Sequence, residues 1–247
     1  MYGWLIAHPI AHRGLHERAA GRIENSLSAA RAACARGYAI ECDVQLSADG
    51  EAMVFHDVTL DRLTGEHGPL AARTAQALGA LTLTGSSDII PTLTQLLAKV
   101  AAAVPVICEI KSAFDGDMAL ARRVADIAAT YDGALGLKSF DPAVLAFLRR
   151  EQAIAHLPLG LVAEAAYAGG YWEGVSAPQR RAMESLTHWS QTRPDFLSWR
   201  VDDLPHATPS LCRAHGLPVL AWTVRTPAQR QRAREFADQM IFEGFEV

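Results

Sequence analysis

The sequence has no apolar run approaching the roughly 18 to 20 residues needed to cross a bilayer. Its opening, Met1-Tyr2-Gly3-Trp4-Leu5-Ile6, lacks the basic leader of a secretory signal. Cysteine is sparse: Cys34, Cys42, Cys108 and Cys212 are scattered without Cys-X-X-Cys spacing, which argues against a cysteine zinc site and a disulfide framework. A reducing, cytoplasmic setting without stable membrane association is the expectation. Positive charge is not in excess either. The net charge of −4 gives no broad field for a phosphate backbone, so nucleic acid is not an expected partner. There is no internal repeat, low-complexity tract or linker-like shift in composition, and residues 1–247 are expected to form one domain.

What is present suits a large soluble core, since half of the residues are hydrophobic and a fifth are charged. Short β-type runs alternate with longer helical stretches, the pattern of β/α units around a parallel sheet. Strands are expected near Pro9–His12, Ala39–Val44, Val104–Ile110, Ala134–Ser139, Leu159–Val162, Phe196–Trp199, Val219–Val224 and Gln239–Phe242. Eight is the barrel number, so the expected fold is α/β, a (β/α)8 TIM barrel. Asp141-Pro142, Thr208-Pro209 and Thr226-Pro227 place a side-chain acceptor before a proline pre-set for a first helical turn. Gly37 and Gly216 sit where helices should stop. One run breaks the alternation. Ala52–His56 follows the second strand across only Ser47-Ala48-Asp49-Gly50, too short for a parallel crossover, so it should return as an antiparallel hairpin. Residues 57–91 are less periodic and are expected to be a long loop or small insertion.

The chemistry starts at Glu41-Cys42-Asp43. Acids two residues apart on a strand share a face, roughly 6 to 7 Å apart along it. For Glu-X-Asp alone, an exposed strand is the commoner case; aimed into a barrel, two carboxylates need protons, cations or a metal. The strand ending Glu109-Ile110-Lys111 repeats the arrangement. Glu109 would complete an all-oxygen set for a hard divalent cation, and Lys111 would either neutralise a phosphate oxygen or simply pair at the rim. His12-Arg13-Gly14 closes the first strand: histidine suits proton transfer near neutrality, arginine offers a planar fork for phosphate, and glycine permits close backbone approach to a ligand. His56-Asp57 stands beside it as a second pair of individually low specificity. His8, His16, His67, His156, His188, His206 and His215 are read as surface or structural.

The ordered series His12-Arg13-Gly14, Glu24-Asn25, Glu41-X-Asp43, Asp49-Gly50, His56-Asp57, Glu109-Ile110-Lys111, Ser139-Phe140-Asp141 and Trp222-Thr223-Val224 resembles the glycerophosphodiester phosphodiesterase family across nearly the whole chain. The resemblance implies a metal-dependent (β/α)8 barrel with an insertion after the second strand. It implies that Glu41, Asp43 and Glu109 hold Mg²⁺ or Ca²⁺, with Mn²⁺ also admitted, and that His12 and His56 are the acid/base pair. It further implies that Arg13 and Lys111 contact phosphate, Trp222 lines the pocket and Glu24 supports the site. Three positions depart from the family pattern: Ser26 replaces a threonine, Arg225 an asparagine, and Phe242-Glu243-Gly244 lacks the usual Thr-Asp. The last two should alter the substrate-facing rim. The chain also ends soon after its last strand, so an eighth closing helix should be short or missing.

The implied reaction is hydrolysis of a small glycerophosphodiester to glycerol 3-phosphate and an alcohol. Two alternatives remain open on sequence: a lysophospholipase D-like phosphodiesterase, for which Tyr167, Tyr171 and Trp172 would form an adaptable lip, and a non-catalytic metal- or phosphate-binding barrel.

Overall fold

The computed structural model describes residues 2–169 and 172–247. Nine strands form one sheet: β1 (Ile10–Ala11), β2 (Ala39–Leu46), β3 (Ala52–Val54), β4 (Val106–Ile110), β5 (Leu135–Ser139), β6 (Leu159–Ala163), β7 (Phe196–Arg200), β8 (Val219–Val224) and β9 (Gln239–Phe242). The order is β1-β9-β8-β7-β6-β5-β4-β2-β3, and β1 also pairs with β2. All these pairings are parallel except β2 with β3. Eight parallel strands therefore close into a barrel, with helices in the connections and β3 as an antiparallel flap on β2. All eight expected barrel strands are present, with ends that match or are shifted by a residue or two. No helix of the described residues is long and apolar enough to cross a membrane.

Local chemistry accounts for most helix ends. Asp141 accepts from the Ala143 amide ahead of Pro142, and Thr226 forms a reciprocal cap with Gln229 ahead of Pro227. Ser26 caps Leu27–Arg36 by accepting from the Ala29 amide, so the hydroxyl that it shares with threonine is used. Gly37 ends that helix at φ 68°. Thr208 does not cap its helix. The helix begins at Ala207, and the His206 side chain accepts from the Thr208 amide, because an imidazole nitrogen two residues upstream reaches the same orphan donor. Residues 57–91 are more ordered than a loop. They include a 3₁₀ turn (Leu70–Ala72) and a short helix (Ala75–Leu78) wrapped on a separate apolar cluster that contains Met53, Phe55, Leu60, Leu70 and Leu83.

The barrel interior is graded along its axis. At the floor, Ile10, Ala39, Ile107, Phe196, Leu220 and Ile241 pack with Leu5 from the N-terminal turn Trp4–Ala7. Two residues further along most of these strands, on the same inward face, stand His12, Glu41, Glu109, Ser198, Trp222 and Glu243. The alternate residues, among them Ile40, Cys42, Val44, Cys108 and Ile110, join the cluster formed with helix residues such as Leu93, Leu97 and Val124. Gly160 has no side chain for a steric reason: a Cβ there would lie 2.1 Å from the Phe196 ring.

Candidate active site

Strand register brings the charged residues together. Asp43 lies opposite Glu109, and Glu109 opposite Lys138. Glu41, Asp43 and Glu109 are all buried, with one carboxylate oxygen from each within 4.8 Å of the others. Lys111 Nζ sits 2.7 Å from Asp43 Oδ1 and 2.5 Å from Glu109 Oε1. Lys138 Nζ sits 3.0 Å from Glu41 Oε1 and 2.7 Å from Glu109 Oε2. Arg13 donates its amide to Glu41 Oε2 at 3.0 Å and places Nε 3.2 Å from Asp43 Oδ2. Burial alone would push these acids up, but the surrounding cations dominate: Asp43 is held well below the usual carboxylate range by Lys111 and Arg13, and Glu109 is held at about 2 by Lys111 and Lys138. For Lys138 the same partners overcome burial and push its ammonium up.

The residues present suit a divalent cation. The donors are hard oxygens from two adjacent strands, Glu41 Oε1 is buried and meets Lys138 outside hydrogen-bonding geometry, and Asn25 fixes Asp43 from two sides. The Asn25 amide donates to Asp43 Oδ2 at 3.0 Å, and its carbonyl accepts from the Asp43 amide at 3.2 Å.

Both expected acid/base histidines are backed by carboxylates. His12 Nδ1 is hydrogen-bonded to Glu243 Oε2, while Nε2 lies 3.9 Å from Glu41. His56 Nδ1 is 2.8 Å from Asp57 Oδ1. Burial lowers the His56 pKa, partly countered by Asp43. Glu24 does not enter the carboxylate cluster. It accepts from Arg13 at 2.5 Å and from both terminal nitrogens of Arg62 at 2.8 Å; although burial opposes it, these arginines hold the Glu24 carboxyl at about 2. Arg62 also grips Asp57, so one guanidinium ties the partner of Arg13 to the partner of His56.

These groups face a cavity of about 350 Å³ at the C-terminal ends of the strands, lined by His12, Arg13, Asp43, His56, Glu109 and Lys111 on one side and by Phe140, Glu164, Trp172, Arg200, Trp222 and Arg225 on the other. Trp222 meets Phe140 edge-on at 5.4 Å and donates to Ser198 O at 2.9 Å.

Several outcomes differ from the sequence reading. Gly14 packs closely against the next helix: a Cβ would come within 2.9 Å of the Ala29 backbone at φ +79°. His16 is not idle surface, since its Nε2 lies 3.4 Å from Glu243 Oε2. Arg225 and Glu243 are partners at 2.5 Å, so the two departures from the family pattern answer each other. Tyr167 and Trp172 are buried with Val175 and Met183 and form no exposed lip; Tyr171 lies outside the described residues. Lys138 was missed, although the inward parity that selects Glu109 also selects it. Glu164 was missed too; it follows β6 directly and accepts from Trp172 Nε1 at 2.7 Å.

Residues 12–242 match the family model described as the glycerophosphoryl diester phosphodiesterase family. The chain belongs to this family. Among solved structures, an Oleispira antarctica phosphodiesterase in complex with the product sn-glycerol-3-phosphate superposes with a TM-score of 0.79 at 19% identity, covering 97% of this chain and 93% of that one. A Thermotoga maritima glycerophosphodiester phosphodiesterase gives 0.71 at 23%, covering 94% and 92%. A Silicibacter pomeroyi structure described as a glycerophosphoryl diester phosphodiesterase gives 0.75 at 22%, covering 96% and 90%. At these identities the likeness is one of fold. No curated protein sequence matches the chain. In this family member the buried acids, the His-Arg-Gly strand end and every barrel strand after β1 fall inside the matched span.

Proposed function

We propose that this chain hydrolyses glycerophosphodiesters to glycerol 3-phosphate and an alcohol, acting as a single catalytic barrel with residues 57–91 as an insertion within it. The observation that carries this reading is the convergence of three buried carboxylates and two carboxylate-backed histidines on one cavity, in a chain of this family.

Glu41, Asp43 and Glu109 would hold the ion, and their all-oxygen chemistry favours Mg²⁺ or Ca²⁺. When bound, such an ion supplies a Lewis acid that draws charge from the phosphodiester oxygens. Arg13 and Lys111 place positive charge beside the same oxygens, where it acts most strongly on charge developing in the transition state. With each Nδ1 engaged by a carboxylate, His12 and His56 keep Nε2 for substrate. One removes the proton of the attacking hydroxyl and the other returns a proton to the departing alkoxide. Neutral His56, favoured by burial, suits the accepting role. Glu24, through Arg13 and Arg62, positions rather than reacts. Trp222 and Phe140 give the cavity an apolar wall for the glycerol or headgroup carbons.

The test is release of the headgroup alcohol from several glycerophosphodiesters, compared with choline release from lysophosphatidylcholine, with and without chelator. Release that chelator stops and Mg²⁺, Ca²⁺ or Mn²⁺ restores is the expected result. No release from any diester with any of the three ions would leave a binding barrel as the better reading.

A further inference from the structure

We propose that His12, His16 and Glu243 form a second, separate metal site that takes a zinc-class ion and, when filled, removes His12 from the reaction. The proposal rests on the acid/base reading of His12 given above.

Three observations carry it. First, one ligand atom from each of the three residues lies within 4.8 Å of the others, and His16 Nε2 is already 3.4 Å from Glu243 Oε2. Zinc with ligands at about 2.0 to 2.2 Å in tetrahedral geometry needs ligand atoms about 3.4 Å apart. His12 and Glu243 are closer than this, in a direct hydrogen bond, so a small side-chain rotation opens that edge. Second, the two oxygens of Glu243 are divided. Oε1 is taken by Arg225 Nε at 2.5 Å, which leaves Oε2 facing both imidazoles. Third, the trio is reachable from outside the substrate cavity. His16 and Glu243, together with Gly14, Phe242 and Phe245, line a different cavity of about 420 Å³, from which an ion can enter and water can fill the fourth position.

The donor chemistry separates this site from the carboxylate one. Two imidazoles and one carboxylate favour zinc, copper or nickel, whereas Glu41, Asp43 and Glu109 offer oxygens alone and suit magnesium or calcium. The consequence for His12 is direct. With Nδ1 on the ion, the His12 ring cannot become an imidazolium, so it has no readily released proton to return to the departing alkoxide, and turnover stops although substrate and the first metal can still bind.

The experiment pairs equilibrium dialysis against Zn²⁺ in excess Mg²⁺ with zinc titration of glycerol 3-phosphate release from glycerophosphocholine, for wild type, His16→Gln and His16→Ala. His16 touches none of Glu41, Asp43 and Glu109, so both variants should bind Mg²⁺ as wild type does, and each zinc titration is read against that variant's own zinc-free rate. In wild type, zinc uptake and loss of activity should coincide. In both variants the two curves should move together to about tenfold higher zinc or more. Dialysis curves that do not depend on residue 16 overturn the site, and His16-dependent uptake with undiminished turnover overturns its inhibitory action. If wild type releases no glycerol 3-phosphate even without zinc, the proposed activity fails, and the dialysis curves still decide whether the site exists.

Discussion

His12 and His56 each have one ring nitrogen held by a carboxylate and the other left for chemistry. His12→Ala and His56→Ala should each lower kcat by about 10²- to 10⁴-fold, with far-ultraviolet circular dichroism unchanged; near-normal turnover in either would remove that residue from the reaction. Lys138 poses a different question because it is 3% exposed, lying against two carboxylates where it lines the cavity. Truncating one partner of a buried ion pair leaves uncompensated charge, so Lys138→Ala should cost about 3 to 5 kcal/mol in denaturant unfolding. Saturating Mg²⁺ or Ca²⁺ should stabilise this variant more than it stabilises wild type, because the ion would supply the missing positive charge. An equal gain in both would argue that Glu41 and Glu109 do not hold the ion. Residue identity made Glu41, Asp43 and Glu109 legible beforehand, since strand parity is a local rule. The same rule applied to Gly136-Leu137-Lys138 reaches Lys138, but a single lysine on a strand, unlike acids repeated at alternate positions, carries no metal-ligand pattern.

At the scale of the element, the sequence marked strands better than their ends and helices better than their caps. Val219–Val224 and Gln239–Phe242 match the structure residue for residue because both are apolar runs bounded by breakers. Thr208 misled because the Thr-Pro pattern describes a cap only when nothing upstream competes, and His206 does. The antiparallel β3 was legible because its connection to β2 is too short for any alternative. The order within residues 57–91 was not, since its apolar residues are spaced to meet Met53 and Phe55 in space rather than one another in sequence. Packing between β6 and β7 yields a sharp expectation. Gly160→Ala would drive a methyl group into the Phe196 ring, and overpacking of this kind typically costs about 1 to 3 kcal/mol. A lower thermal midpoint should follow, and Phe196→Leu in the same chain should recover part of the loss. No loss in the single variant would mean that the ring moves aside freely.

For the whole molecule, the charged upper layer of the barrel makes stability depend on pH in a definite direction. Glu109 and Glu24 ionise at about 2 in the fold instead of 4.5. As pH falls below 4.5, the unfolded chain takes up protons that the fold refuses, so the stabilisation present above that value is lost progressively down to about 2. Lys138 acts in the opposite sense: its raised pKa contributes stability that is full below its ordinary value of 10.5 and is lost only at still higher pH. Thermal midpoints measured from pH 7 to 3 should drop steeply below about 4.5, and Glu109→Gln should flatten that slope. An identical slope in the variant would show that Glu109 is not held ionised. The long-range partnerships are where sequence reading ran out. Arg225 and Glu243 are isolated departures in the sequence; pairing of β8 with β9 sets them beside each other, and closure of β9 on β1 sets Glu243 beside His12.

β1 carries His12 and pairs on one side with β2, its near neighbour in the chain, and on the other with β9, the last strand. The seam between β1 and β9 is therefore the final one that a chain emerging from the ribosome can close. Glu243 follows β9 directly, so the His12–Glu243 contact cannot exist in a nascent species that stops short of residue 243, however well its earlier β/α units have formed. A growing polypeptide therefore carries the buried acids long before it carries a fully oriented proton carrier.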